Sequence, residues 1–194
     1  MKKYTGFTSG TAEKLLLDAG AFIKNYVPGT DTYESAKAAG KLIGATGGGG
    51  SFSATPTIRP IPLDGVSEDT KGLKVIDDWK VVLSANVKEV SRENIELALA
   101  TGASVDGPTG YKKITASNDI VDADYIDNIT WVGRLSGSLK PVIIVVKNAL
   151  AVNGLSINMT DKGEATIALT FNGHFEADEE NPPFEIYYPD VTVV

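Results

Sequence analysis

The chain has 194 residues, 42% of them hydrophobic, a net charge of −7 and no cysteine. This length suffices for one large domain or two small ones, and the lack of cysteine excludes disulfides, thiolate nucleophiles and zinc sites with cysteine ligands. No apolar run approaches the roughly 18–20 residues of a membrane span, and no apolar stretch follows Lys2 and Lys3, so we expect neither a membrane segment nor a secretory signal.

The charge is unevenly distributed along the chain. Residues 1–115 carry 14 basic and 13 acidic side chains, a net of +1, whereas residues 116–194 carry 4 and 12, a net of −8. The overall negative charge disfavours a protein that binds nucleic acid by neutralising phosphates. The imbalance has two explanations. It arises by chance from an acidic final region, or it reflects an acidic face that repels DNA.

Most of the chain is patterned as β-strand. Apolar and polar residues alternate in most of the candidate strands, which is typical of half-buried antiparallel strands. "PVIIVV" (141–146) is instead apolar on both faces, which predicts cover on both sides by the core or by a neighbouring subunit. The predicted strands, in chain order, lie near 21–27, 51–59, 79–87, 111–115, 129–135, 141–146, 164–172 and 184–188.

One segment, at about 91–101, is predicted to be helical. Ser91 is a candidate N-cap, Glu93 suits the first turn, and Gly102 is a candidate C-terminal stop. A second short helix is possible in "YESAKAAGKLIG" (33–44), although Gly40 interrupts that pattern. With no repeat and no visible domain boundary, several strands and one helix predict a single β-sandwich or barrel.

The tetraglycine Gly47 to Gly50 precedes the second predicted strand directly. It is no phosphate-binding loop, because no Lys-Ser or Lys-Thr pair and no helix follow it. Ordering it costs about 1–2 kcal/mol of backbone entropy per residue. We therefore expect either a flexible surface loop or a loop that a neighbouring molecule orders, because glycine allows close backbone approach.

Residues with catalytic or metal-binding potential are sparse. His174 is the lone histidine, and beside an apolar strand it is better explained by packing or hydrogen bonding than by catalysis. Asp119, Asp122, Asp124 and Asp127 lack the spacing of a calcium loop and are better explained as a solvated acidic turn. We therefore expect no enzymatic activity, no cofactor and no metal site.

The order of elements and five stretches resemble the major tail tube proteins of long-tailed, siphovirus-type bacteriophages, in particular those of phages and prophages of Gram-positive bacteria. The stretches are "KLLLDAGAFIKNY", "ESAKAAGKLIGATGGGGSF", "PTIRPIPLDG", "KGLKVIDDW" and "TFNGHFEADEENPPFEIYYP", and the resemblance covers roughly residues 10–190. It implies a single tail tube domain over 1–194, with an N-terminal arm, an inter-subunit loop and a C-terminal segment. The implied fold is a β-sandwich with one flanking helix.

The resemblance also implies a role in the virion. Such subunits assemble in the host cytoplasm as stacked hexameric rings around a tape-measure protein, between tail tip and tail terminator proteins. DNA passes through the lumen without specific binding, and no membrane is involved. Inter-ring contacts of the family come from a long early loop, which here corresponds to about 28–50. The candidate inter-subunit residues are Lys37, Lys41, Gly47, Gly48, Gly49, Gly50, Val142, Ile143 and Ile144.

Three classes of function remain open at this point. The first is a self-assembling tail tube subunit, with a tube protein of a contractile tail or secretion system as a close alternative. The second is a β-sandwich that binds carbohydrate through exposed aromatic residues, for which the candidates are Trp79, Trp131, Tyr187 and Tyr188. Both tryptophans fall on the apolar face of their strands, which favours a core or interface position. An enzyme is the third class and has the least support.

Overall fold

The computed structural model describes residues 4–159, 161–177 and 181–190. The chain is mainly β, as predicted, with two short α-helices and two 3-10 turns among the described residues. The strands are β1 (Leu16–Lys24), β2 (Thr46–Pro60), β3 (Lys74–Val87), β4 (Gly102–Asp106), β5 (Lys112–Ala116), β6 (Ile126–Leu135), β7 (Val142–Ala151), β8 (Ile157–Asn158), β9 (Thr166–Gly173) and β10 (Phe184–Tyr187). The helices are α1 (Tyr33–Ala38) and α2 (Arg92–Ala98).

The strands form one antiparallel path that folds over into two facing sheets. Sheet 1 consists of β1, β6, β7 and β10, and sheet 2 consists of β2, β3, β9 and β8. β7 joins them, because it pairs with β6 over most of its length and with β9 at Leu150 and Ala151. Asn148 has a left-handed φ of 44° just before this junction. The class is therefore β-sandwich-like, with a satellite hairpin made of β4 and β5.

The core lies between the two sheets. It is built from the alternate apolar residues that the strand patterns predicted. Val81, Leu83 and Val87 come from β3, and Leu169 and Phe171 from β9, and all five are buried. Burying each such side chain contributes roughly 1.5–3 kcal/mol relative to leaving it exposed. The two-sheet core is thus the main source of stability for this fold.

The first and last strands of the path, β1 and β2, form a seam without a continuous ladder between them. At one end the segment 41–43 closes it, because the Lys24 amide donates to the Lys41 carbonyl and the Ile43 amide to the Phe22 carbonyl, at 2.9 and 3.0 Å. At the other end, toward Leu16, the seam is open. β2 is an edge strand, which explains why it tolerates Pro56 and Pro60 without an amide donor.

The prediction of one long loop over 28–50 is wrong. Residues 33–38 form α1, whose N-cap Thr32 exchanges hydrogen bonds with Ser35 as a capping box, and β2 already begins at Thr46. Gly40 lies just past the helix with a φ of 67° and ends it. The helix folds back because Ala36 is fully buried in a second cluster on the outer face of sheet 1, with Ile23, Tyr26 and Val132.

The predicted helix at 91–101 is confirmed, with an earlier end. The Ser91 side chain accepts a hydrogen bond from the Asn94 amide, as an N-cap should. The helix stops at Ala98, and Ala100 adopts a left-handed φ of 60°. Gly102 is therefore not the stop, because it begins β4. The described residues contain two helices rather than the one predicted, since the short pattern at 33–44 also forms one.

Candidate assembly surfaces

The glycine run forms the start of β2 and is not a free loop. Its register against β3 skips between Thr46 and Gly50, so the intervening glycines form a bulge in which Gly48 and Gly49 have φ of 81° and 73°. At Gly50, a Cβ would lie 2.2 Å from the Ser84 carbonyl oxygen and 2.5 Å from Phe22 Cζ. The chain itself orders the run, so the expectation that this needs a neighbouring molecule is wrong.

The two candidate lysines have different environments. The Lys41 ammonium lies 2.6 Å from Asp31 Oδ2 in a partly buried ion pair that ties α1 to the body. The hydrogen bond from Lys41 and another from the Val27 amide hold the pKa of Asp31 below its ordinary value. Lys37 lies in the last turn of α1 and is exposed. Of the two lysines, Lys37 is thus the one available for a contact with another subunit, because Lys41 already has a partner within the chain.

Val142, Ile143 and Ile144 lie in β7, a central strand of sheet 1. Val142 is buried, Ile143 packs against the cluster beneath α1, and Ile144 lies beside Trp131 on the core side. The predicted cover of "PVIIVV" is confirmed for its three valines, which are buried, whereas Ile143 and Ile144 are half-buried. The cover of the valines comes from within the chain.

Sequence reasoning missed a long two-stranded arm. β9 pairs with β3 only from Val81 onward, so beyond that point β3 has β2 as its ladder partner. Residues 55–80, which include the loop between β2 and β3, are called the arm. The paired strands of the arm extend roughly 20 Å, at about 3.4 Å per residue. Ile58 and Ile76 face each other across it and are 56% and 53% exposed. The alternation at 51–59 was visible in the sequence, but the earlier start of β3 was not.

Local ion pairs link residues within the arm. The guanidinium of Arg59 donates to both carboxylate oxygens of Asp77, at 2.9 and 3.2 Å. Lys74 pairs with Asp69 at 2.7 Å near the loop. Leu63 and Val66, within that loop, are exposed. The arm thus presents apolar side chains beyond the sandwich core.

The outward face of sheet 2 is polar and nearly uncharged. The Ser51 and Ser84 hydroxyls are 2.8 Å apart across β2 and β3, and Asn153 donates to the Thr170 hydroxyl at 2.9 Å. Lys80 and Asp78 are the charged members of this set, which is called the polar face. The polar face consists of Ser51, Ser53, Thr55, Thr57, Asp78, Lys80, Val82, Ser84, Asn86, Thr166, Ala168, Thr170 and Asn172.

The free edges of the two sheets differ in how they are protected. On β10, Glu185 pairs with Lys147 at 2.5 Å and accepts a hydrogen bond from the Tyr187 hydroxyl. The bond from Lys147 lowers the pKa of Glu185, and the bond to Glu185 raises the pKa of Tyr187. Charged side chains of this kind discourage strand addition at an edge. β2 carries no charged side chain over 51–57, and its protection in this stretch is limited to Pro56.

The sequence candidates for chemistry have structural roles. Asp124 accepts a hydrogen bond from the Val121 amide at 2.8 Å in a 3-10 turn. The His174 ring packs edge-on against Tyr125, at 5.1 Å between centroids, and its Nδ1 lies 3.0 Å from the Asn148 carbonyl oxygen. Within the described ranges, no cluster of three or more acidic or histidine side chains is arranged to hold a metal.

The candidate aromatic platforms are largely occupied. Trp79 packs on Phe184 at 5.4 Å, and Trp131 donates its indole N–H to the Ala19 carbonyl at 2.8 Å. Both tryptophans pack against the core cluster. Tyr187 and Tyr188 are the exposed members of the set.

Over the described part of the chain, no helix combines the length and apolarity needed to cross a membrane. No protein-family model matches this chain, and comparison with curated proteins finds no match either.

Proposed function

We propose that this chain is the structural subunit of a phage-type tail tube, which polymerises as stacked hexameric rings into a hollow tube. The observation that carries the proposal is the combination of the polar face with a long, little-protected edge strand and the arm. A lone domain gains nothing from these features, whereas a ring has a use for each of them.

Lateral contacts in the ring are assigned to strand edges. β2 has 15 residues and its outer edge carries backbone groups without ladder partners among the described residues. Exposed edges of this kind pair with other chains unless they are blocked. In a closed ring every edge is covered, so the same feature that makes a monomer prone to association becomes an interface.

Contacts between rings are assigned to the arm and to α1. Ile58, Ile76, Leu63 and Val66 are exposed on the arm, and burial against the next ring would remove them from water. Lys37, exposed in α1, is a further contact candidate for an acidic surface. Each contact is modest, and its repetition around a ring multiplies the effect.

The polar face is assigned to the lumen. DNA is a polyanion, and a wall with few cations gives it few places to bind. Serine, threonine and asparagine side chains form most of that wall, and Lys80 and Asp78 lie at the end that belongs to the arm. The acidic residues at 119–127 lie outside the three strands of this face, so the proposed lumen is neutral rather than strongly acidic. The tape-measure, tail tip and terminator proteins remain proposed partners.

Electron microscopy of the purified chain at high concentration tests the proposal. We expect rings or tubes, and preformed tail tips should nucleate them if the free chain is monomeric. Monomers alone, under several salt conditions and with tail tips added, would refute self-assembly. Monomers that are retained on a polysaccharide column would instead favour the carbohydrate-binding alternative.

A lysine series tests the assignment of the lumen. Ser53→Lys, Ser84→Lys and Thr170→Lys together make the polar face cationic, whereas Thr30→Lys, Thr109→Lys and Asn118→Lys add the same charge at exposed positions elsewhere. We expect both triple variants to assemble. Tubes of the first should retain DNA within the bore, seen as internal density, and tubes of the second should not. Equal internal density in both would contradict the assignment.

A further inference from the structure

A cleft of about 420 Å³ occupies the open end of the β1–β2 seam. Its floor is apolar and aromatic, and consists of Phe22, Phe52, Leu83, Trp131 and Ile144. No side chain of the described residues fills it. The cleft is therefore an unfilled part of the core between the two sheets, accessible from outside.

Both strands that border the cleft are irregular there. The register of β1 shifts between Leu17 and Ala21, where Asp18 and Gly20 have φ of 70°, and the glycine bulge of β2 lies opposite. The Trp131 indole N–H holds the β1 bulge through the Ala19 carbonyl. Bulges disrupt the regular ladder, so another strand cannot extend either sheet across the opening. An occupant must enter through its side chains.

The chain carries suitable side chains on residues 4–11, which form neither helix nor strand. Tyr4 is fully exposed and Phe7 is 74% exposed. The sequence of this segment, "YTGFTSGT", has no charge that would oppose entry into an apolar cleft. A cavity of about 150 Å³ accommodates one benzene ring, so the cleft has room for two aromatic rings.

Within one chain these aromatic side chains are held away from the cleft. A turn over Thr8 to Thr11 is closed by two hydrogen bonds, of 3.1 and 2.8 Å. The following 3-10 turn is tied to the end of β6, because the Gly137 amide donates to the Glu13 carbonyl at 2.9 Å. The segment before Thr8 thus extends outward, in a position to reach another molecule.

We propose that Phe7 and Tyr4 of one copy insert into the β1–β2 cleft of a second copy. The choice of a second copy as the partner rests on the proposed function, whereas the fit between segment and cleft is independent of it. The contact is directional, because each copy offers one segment and one cleft. Copies linked in this way are joined head to tail, which generates a closed ring or an open helix.

A peptide with the sequence of residues 4–11 tests the contact directly, because Trp131 lines the cleft. The receptor is the full chain with Tyr4→Ala and Phe7→Ala, to empty the cleft, and Trp79→Phe, so that Trp131 alone reports. We expect saturable change in Trp131 emission. A control peptide with alanine at both aromatic positions should bind at least about a hundredfold more weakly, because each buried aromatic side chain contributes more than a factor of ten. No change, or equal binding of both peptides, would overturn the proposal.

Sedimentation of the whole chain distinguishes the partner. Tyr4→Ala with Phe7→Ala should weaken self-association relative to the unchanged chain. In a Trp79→Phe chain that keeps Tyr4 and Phe7, Trp131 emission should vary with protein concentration. A bound-like emission that is independent of concentration would show that the segment fills its own cleft and would overturn the second copy as partner. Tubes that form without peptide binding would refute this contact alone, whereas peptide binding without tubes would refute the proposed function alone.

Discussion

Replacing Gly50 by alanine tests the close approach of β2 to the core. The added Cβ would lie 2.2 Å from the Ser84 carbonyl oxygen and 2.5 Å from Phe22 Cζ. The carbonyl belongs to the β3 backbone and cannot retreat without disturbing the strand, and the side chain of Phe22 is only 2% exposed. Overpacking a core costs typically about 1–3 kcal/mol. Because backbone and ring are both too close, we expect a loss near the upper end, about 3 kcal/mol.

Gly47→Ala is the matched control in the same run. Its Cβ would meet only the side chain of Lys88, with the nearest atom at 2.4 Å. A flexible exposed side chain can move aside, so we expect a change within about 0.5 kcal/mol, as for ordinary surface substitutions. The assay is urea unfolding followed by tryptophan fluorescence and circular dichroism, with the midpoint shifting at constant slope. A Gly50→Ala variant as stable as Gly47→Ala would refute the packing argument.

Three further predictions follow from other contacts. Asp31→Asn should destabilise the chain at neutral pH, because a carboxylate whose pKa is lowered by folding stabilises the folded state while it is ionised. The loss of stability should shrink as the pH falls from the unfolded pKa of about 3.9 through the lowered pKa of Asp31, where the carboxylate becomes protonated. A pH-independent difference in urea midpoints would contradict this. Ser91→Ala removes the N-cap bond to Asn94 and should cost about 1 kcal/mol in the same unfolding assay, and no loss would show that the cap is dispensable. Ile58→Asp with Ile76→Asp on the arm should leave the body folded by circular dichroism and prevent stacking in electron micrographs, so normal tubes would exclude the arm from the interface.

Lys37 and Lys41 are not equivalent positions for a charge-reversal test. Lys41→Glu would place a carboxylate against Asp31, where the structure has an ion pair at 2.6 Å, and would disturb α1 within the chain. Lys37→Glu alone is the informative change at the surface. Deleting Gly47 to Gly50 is equally unsuitable, because it would remove the bulge and the close approach at Gly50.

The local pattern of the sequence determined most of the strands and the helix that begins after Ser91. Alternation at 79–87 and 164–172 predicted β3 and β9, because a strand with one buried face must alternate wherever it lies in the fold. Ser91 marked the start of a helix, because N-capping depends on neighbouring residues only. The doubly apolar "PVIIVV" predicted a central position for β7, since both of its faces needed cover.

Only the tertiary structure decided what those elements do together. The sequence predicted a flexible glycine run, because the residues that order it, Phe22 and Ser84, are distant in sequence. The polar face exists because β3 lies between β2 and β9, and strand order is set by packing rather than by any single strand. The ion pair of Lys41 with Asp31 depends on the fold around α1. The cleft between β1 and β2 is a gap between elements, and a gap leaves no pattern in the sequence of either one.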